Sequence, residues 1–214
     1  MEPKPSNAVR VSAVLVLVVA VAACFVAPAT STGAAVAICD QLGPLVPPSV
    51  PAALAAPSGA MLATRVHAVG VQIYTCTPPT GGGAAASYTW VLKAPDAKLY
   101  DTACTLVGTH GAGPSWRPEA DGSTVVGAAV ARVDAPDTHT AVPWLLLKAV
   151  SHTGTGVMSD VIAVQRVDTH GGVAPTSGCD AAHVGIDTSV AYTATYYFYK
   201  GTRRDAAGDA SDGD

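Results

Sequence analysis

His67, His110, His152 and His170 each lie within three residues of a glycine, in HAVG, HGAG, HTGTG and HGG. A histidine on a glycine-flanked loop can approach a ligand closely, and neutral imidazole suits metal binding or proton transfer. There is no H-x-H and no H-E-x-x-H, so no local pair fixes a metal. Each histidine is read first as a hydrogen-bonded loop residue, and neither a metal nor another cofactor is expected. Nucleophilic catalysis needs a serine or cysteine beside a base and an oxyanion donor. No G-x-S-x-G occurs, and the adjacent Ser151 and His152 would point to opposite faces of a strand. Acid–base chemistry of the glycosidase kind needs two carboxylates across a cleft. Asp160, Asp168 and Asp180 are the candidates, since Glu119, the only glutamate beyond Glu2, sits in a turn. Glu119-Ala-Asp121-Gly122 has too few ligands for a calcium loop. The glycines of GTHGAG and SHTGTG form neither a dinucleotide fingerprint nor a P-loop.

Aromatic rings offer a second chemistry. Trp90, Trp116, Trp144 and the run Tyr196-Tyr197-Phe198-Tyr199 could stack on sugar faces or lipids, although tryptophans in strands are most often core. Trp116, Tyr197 and Tyr199 are taken as ligand-binding candidates. The two tyrosines lie on the face opposite Phe198 and are expected to be exposed. After Asn7 the chain has no asparagine, and its glutamines are Gln41, Gln72 and Gln165. That is few amides for sugar recognition.

The elements that must position these residues read as strands. VHAVGVQIYTC (66–76) alternates Val69, Val71 and Ile73 against Gln72, Tyr74 and Cys76, and SYTWVLK (87–93) alternates likewise. APDAKLYD (94–101) suggests a turn and a short strand, and STVVGAAVARV (123–133) a strand entered through Asp121-Gly122. Pro143 sits where a strand would begin. In SVAYTATYYFYK (189–200), Val190, Tyr192, Ala194, Tyr196 and Phe198 share a face. VMSDVIAVQRV (157–167) also fits a helical stripe, but its β-branched residues and flanking glycines favour a strand. Eight or nine short strands between turn signals predict an all-β fold, a single antiparallel β-sandwich or barrel.

Before it, residues 30–58 carry Pro44, Pro47, Pro48, Pro51 and Pro57, which block helix and ladder alike and predict an extended lead-in lying on the β domain of residues 59–200. Residues 201–214 form a polar tail expected to be disordered. Residues 1–29 read as a signal peptide, with Lys4 and Arg10 before an apolar run and Ala27-Pro28-Ala29 at a cleavage site. The chain is therefore expected to be secreted. Two alternatives are a lipid on Cys24, in Val21-Ala22-Ala23-Cys24, and a retained leader, the only routes foreseen to a membrane. Apolar residues make up 49% and charged residues 13%, the reverse of a disordered chain. Basic residues are scattered singly apart from Arg203-Arg204, so nucleic acid is not an expected partner. The even set Cys39, Cys76, Cys104 and Cys179 in an exported chain predicts two disulfides, with three pairings open.

The blocks GVQIYTC (70–76), WVLKAPDAKL (90–99), VGTHGAGPSW (107–116), DGSTVVG (121–127), PWLLLKAVSHTGTG (143–156), QRVDTHGGVAPTSGCD (165–180) and YYFY (196–199) resemble one family. It is an exported bacterial, fungal and plant family classed as a domain of unknown function. The resemblance implies a secreted, mostly β domain. Because its blocks include Cys76 and Cys179, it also implies that pair as one disulfide, with Cys39–Cys104 as an addition. Some relatives carry a malate dehydrogenase label, but the glycine fingerprint and the arginine and histidine arrangement for hydride transfer are missing here. Two readings follow. The first is a non-catalytic secreted module binding an extracellular or cell-surface ligand. The alternative is a secreted hydrolase, metal-assisted or cofactor-free, with His110 and His152 as base or ligands and Asp180 as orienter. Gathering of His110, His152, Trp116 and Asp180 in one pocket would favour the hydrolase.

Overall fold

The structure, a computed structural model, describes Met1 and residues 43–79 and 87–201. Its strands are β1 (Met61–Thr77), β2 (Thr89–Tyr100), β3 (Leu106–Gly111), β4 (Ser115–Pro118), β5 (Thr124–Val133), β6 (Trp144–Thr153), β7 (Val161–Gly171) and β8 (Asp187–Lys200). Each pairs antiparallel with the next, and β8 pairs with β1, so the sheet closes on itself as an up-and-down barrel. Closure removes both free edges. Of the two architectures expected, this is the barrel.

Alternation selects the inner face. Tyr192, Ala194, Tyr196 and Phe198 of β8 turn inward and meet Val66 and Ala68 of β1, Leu99 of β2, Trp116 of β4, Val125 of β5, Leu147 of β6 and Val164 of β7. On β1 it is the set Gln72, Tyr74 and Cys76 that faces in, while Val69, Val71 and Ile73 are only partly buried. The ambiguous segment forms a strand from Val161, with Val157–Asp160 in the turn before it. APDAKLY does not make a separate strand but continues β2. Pro95 is tolerated there because β3 reaches no further than Ala97, so β2 is edge-like on that side. A register irregularity at Ile73/Tyr74 of β1 lies beside it.

The turns β2–β3, β4–β5 and β6–β7 gather at one end, which Asp121 fastens. Its carboxylate accepts from the Ser123 N–H and hydroxyl at 2.8 and 2.7 Å and from the Val157 N–H at 2.8 Å. Ser123 Oγ in turn accepts from the Met158 N–H at 3.1 Å. The loops β1–β2, β3–β4, β5–β6 and β7–β8 lie at the opposite end, where a disulfide joins Cys76 of β1 to Cys179 in the β7–β8 loop.

Over its described part, residues 43–58, the proline-rich lead-in lies against the outside of the barrel. Val50, Ala56 and Ala60 pack on the outer side chains Ala163, Val167, Tyr197 and Tyr199, and Leu54 in the 3-10 turn Ala52–Leu54 is fully buried. Gln165 Nε2 donates to the Leu54 carbonyl at 2.6 Å, and the Tyr199 hydroxyl donates to Gln165 Oε1 at 2.6 Å. Arg65 donates to the Gly43 and Pro44 carbonyls at 2.5 and 3.2 Å, with its guanidinium 5.8 Å from the Tyr197 ring centre. A second apolar layer therefore sits outside the barrel. The expected signal peptide, Cys24, Cys39 with its pairing to Cys104, and the tail beyond Gly201 lie outside the described residues. Among the described residues no helix is long and apolar enough to cross a membrane.

Candidate functional site

β3 and β4 are short, and the wall they build is incomplete. β3 pairs with β2 only over Ala97–Tyr100, and β4 pairs with β5 only at Ser115 and Trp116. Toward the disulfide end, Leu92–Pro95 of β2 and Ala129–Arg132 of β5 therefore have no strand between them. Leu92 stands opposite Tyr74 and so points inward, yet it is 51% exposed. The gap opens into a cleft of about 660 Å³, bounded also by the β3–β4 turn (Gly113, Pro114), the β5–β6 loop and Val173–Ala174.

Most of the lining is apolar, and a few polar groups converge on it. Arg166 of β7, opposite Leu145 and Tyr196, is half-buried and donates from Nε and Nη2 to the Pro143 carbonyl at 3.1 and 2.8 Å. Gln72 is fully buried, and its Nε2 has no hydrogen-bond partner. The Tyr74 hydroxyl donates to the Gly172 carbonyl at 2.5 Å. That close approach needs a glycine: Gly172 has φ +86°, and a Cβ there would stand 2.8 Å from Tyr192 Cβ and 3.1 Å from Gln72 Cγ. Burial raises the Tyr74 hydroxyl above its ordinary range, partly offset by the Arg166 charge. Tyr192 and Tyr196, whose hydroxyls lie 3.4 Å apart, are raised chiefly by burial as well. All three stay phenols at neutral pH.

His110 lines the cleft from β3. Its ring stacks on Trp116 at 4.7 Å with 9° between planes, and Nδ1 lies 2.8 Å from the Ser115 carbonyl. A carbonyl only accepts, so Nδ1 carries the proton and Nε2 remains the acceptor. Burial lowers its pKa to about 4; the Ser115 bond opposes that shift and the Arg166 charge adds to it. His110 is a neutral imidazole at physiological pH.

The other residues singled out from sequence are dispersed. His110, Trp116, Val125 and His152 form one row across β3 to β6. The two histidines stand at its ends, three strand spacings or about 14 Å apart. His152 is exposed, its Nε2 2.7 Å from the Val161 carbonyl at the Asp121 end. Asp180 is exposed beside Cys179 and bonds His183 at 2.7 Å. It neighbours Cys76, six strand residues from the β1 member of the His110 row, roughly 20 Å away. His110 lines the cleft, whereas His152, Asp180 and Trp116 do not. The pocket that would have favoured a hydrolase is not assembled from them. Trp116 is 1% exposed, with edge contacts to Tyr196 and Phe198, so it is core rather than platform. Tyr197 and Tyr199, expected to be exposed, are buried because the lead-in covers their face. Among the described residues no cluster of histidine, cysteine and carboxylate side chains could hold a metal. Sequence reasoning missed Gln72 and Arg166 as cleft residues; the signal was a lone polar side chain at an inward position of an otherwise apolar strand.

Fold and site define an eight-stranded antiparallel barrel with a mainly apolar cleft entered through its wall. The chain belongs to the family described as "Protein of unknown function (DUF3455)", which matches residues 57–200. No curated protein and no solved structure matches it.

Proposed function

We propose that this is a secreted, non-catalytic binding module that takes a small extracellular ligand into the cleft. The gap between β2 and β5 carries the reading: it leaves an inward-facing leucine in solvent at the mouth of a concave, mostly apolar space. Eight strands is the size at which a barrel interior either fills with side chains or holds one small ligand. Here one end is filled and the other is open. A volume of about 660 Å³ and a few convergent polar groups are the features of a small-molecule site. The Cys76–Cys179 bridge suits an oxidising compartment and supports export. The test is a thermal-shift screen of the full chain against small apolar acids, alcohols and amines, repeated on Ala129→Trp, which plugs the mouth from an exposed position. Compounds that raise the melting temperature of the wild type and lose the effect in A129W are expected. Stabilisation that ignores the plug, or none by any compound, would overturn the reading.

A further inference from the structure

The geometry points to a ligand carrying one carboxylate on an apolar body, with Arg166 as its anchor and the Gln72 amide as a second donor. This rests on the binding-module reading above. Three cations line the cleft. Lys93 is held by Asp187, and Arg132 lies 3.8 Å from Asp134, both pairs largely in solvent. Arg166 is different: it is half-buried, and among the described residues no carboxylate lies within ion-pair distance of it. A guanidinium has five N–H donors; two of them go to the Pro143 carbonyl and the Tyr196 hydroxyl engages another, which leaves donors for a ligand. A cation withdrawn from water without a counter-charge is costly, and an anion bound beside it would remove that cost.

Gln72 supplies the independent observation. Its amide is 1% exposed, lines the same cleft and leaves Nε2 unpartnered. A buried donor left unmade costs about 1–3 kcal/mol, so native structures pair it, and an oxygen of a ligand in the cleft would supply that partner. The charge arithmetic sets the class of anion. One uncompensated cation balances a monoanion, which fits a carboxylate better than a phosphate dianion. Leu92, Val142, Leu145 and Val173 would surround the rest of the molecule.

Octanoate, octanol and octylamine share a chain and differ at the head, so calorimetric titration of the full chain with each is the test. Octanoate is expected to bind at least tenfold more tightly than octanol, with octylamine weakest. Arg166→Gln should abolish the preference for octanoate, and Gln72→Leu should reduce it severalfold. Equal binding of octanoate and octanol by the wild type would overturn the carboxylate assignment and leave the binding module standing. A folded R166Q that keeps the preference would do the same. If R166Q does not fold, the wild-type preference and the Q72L variant decide. No binding of any probe, together with a failed screen, would sink both readings.

Discussion

At the scale of single residues, the consequential choice is that the inner and outer faces bury neutral imidazoles. His110 is stacked against Trp116, and His67 is 2% exposed with both ring nitrogens unpartnered. Burial lowers each to about 4 from an ordinary 6.5, with the charge of His170 adding to the shift at His67. Both bind a proton less readily folded than unfolded. Between pH 6.5 and 4 the unfolded chain therefore takes up more protons, and stability falls as pH falls. Above 6.5 the two contribute nothing further to pH dependence. For His110 the full loss is about 3 kcal/mol, from 1.36 kcal/mol per pH unit. Chemical denaturation at pH 7 and pH 4.5 should show most of it, and His110→Phe, which keeps a ring against Trp116, should make the dependence shallower and leave the share of His67. Equal pH slopes for wild type and H110F would show that His110 is not the group responsible.

Among the elements, the lead-in does work that a count of strands would miss. Leu54 sits with no exposed surface at the tip of its 3-10 turn, and its carbonyl closes the chain Tyr199–Gln165–Leu54. Truncating a buried leucine costs about 2–5 kcal/mol. Leu54→Ala should lower the urea midpoint accordingly, and its partial exposure of the Tyr197–Tyr199 face should raise binding of an apolar dye. A midpoint within error of the wild type would mean the lead-in is not part of the folded unit. That the prolines of residues 44–57 keep this segment out of a long helix or a ladder was legible. What it covers was not, because alternation assigns Tyr197 and Tyr199 to one face of β8 without saying whether water or another segment meets that face. β8 itself was readable from its own side chains. β3 and β4 were not: their pairings are few, and Gly108, Gly111 and Pro118 blur any period. The same shortness makes the cleft, so the site was hidden where the pattern was weakest. Choosing barrel over sandwich required knowing that β8 returns to β1, a contact between residues more than a hundred positions apart.

For the molecule as a whole, the Cys76–Cys179 bridge spans 103 residues and so closes nearly the entire barrel circuit. A cross-link over a loop of that size restricts the unfolded chain strongly, and removing a native one costs about 2–5 kcal/mol. The same bridge holds the β7–β8 loop, which Cys76 also binds through the Gly185 N–H and the Ile186 carbonyl, both at 2.9 Å. Val173 and Ala174 of that loop line the cleft. Clamp and site are thus mechanically one device, and the double variant Cys76→Ser/Cys179→Ser should fail in two separable ways. Its denaturation midpoint should drop by the cost of the cross-link. Its amide hydrogens over residues 173–186 should exchange faster than the rest of the barrel at conditions where the fold is intact, because the loop opens before β1 and β8 part. If the midpoint falls while that loop stays protected, the bridge acts on the unfolded chain alone and the hydrogen bonds at Cys76 suffice to shape the cleft. If neither changes, the bridge is not the clamp of this barrel.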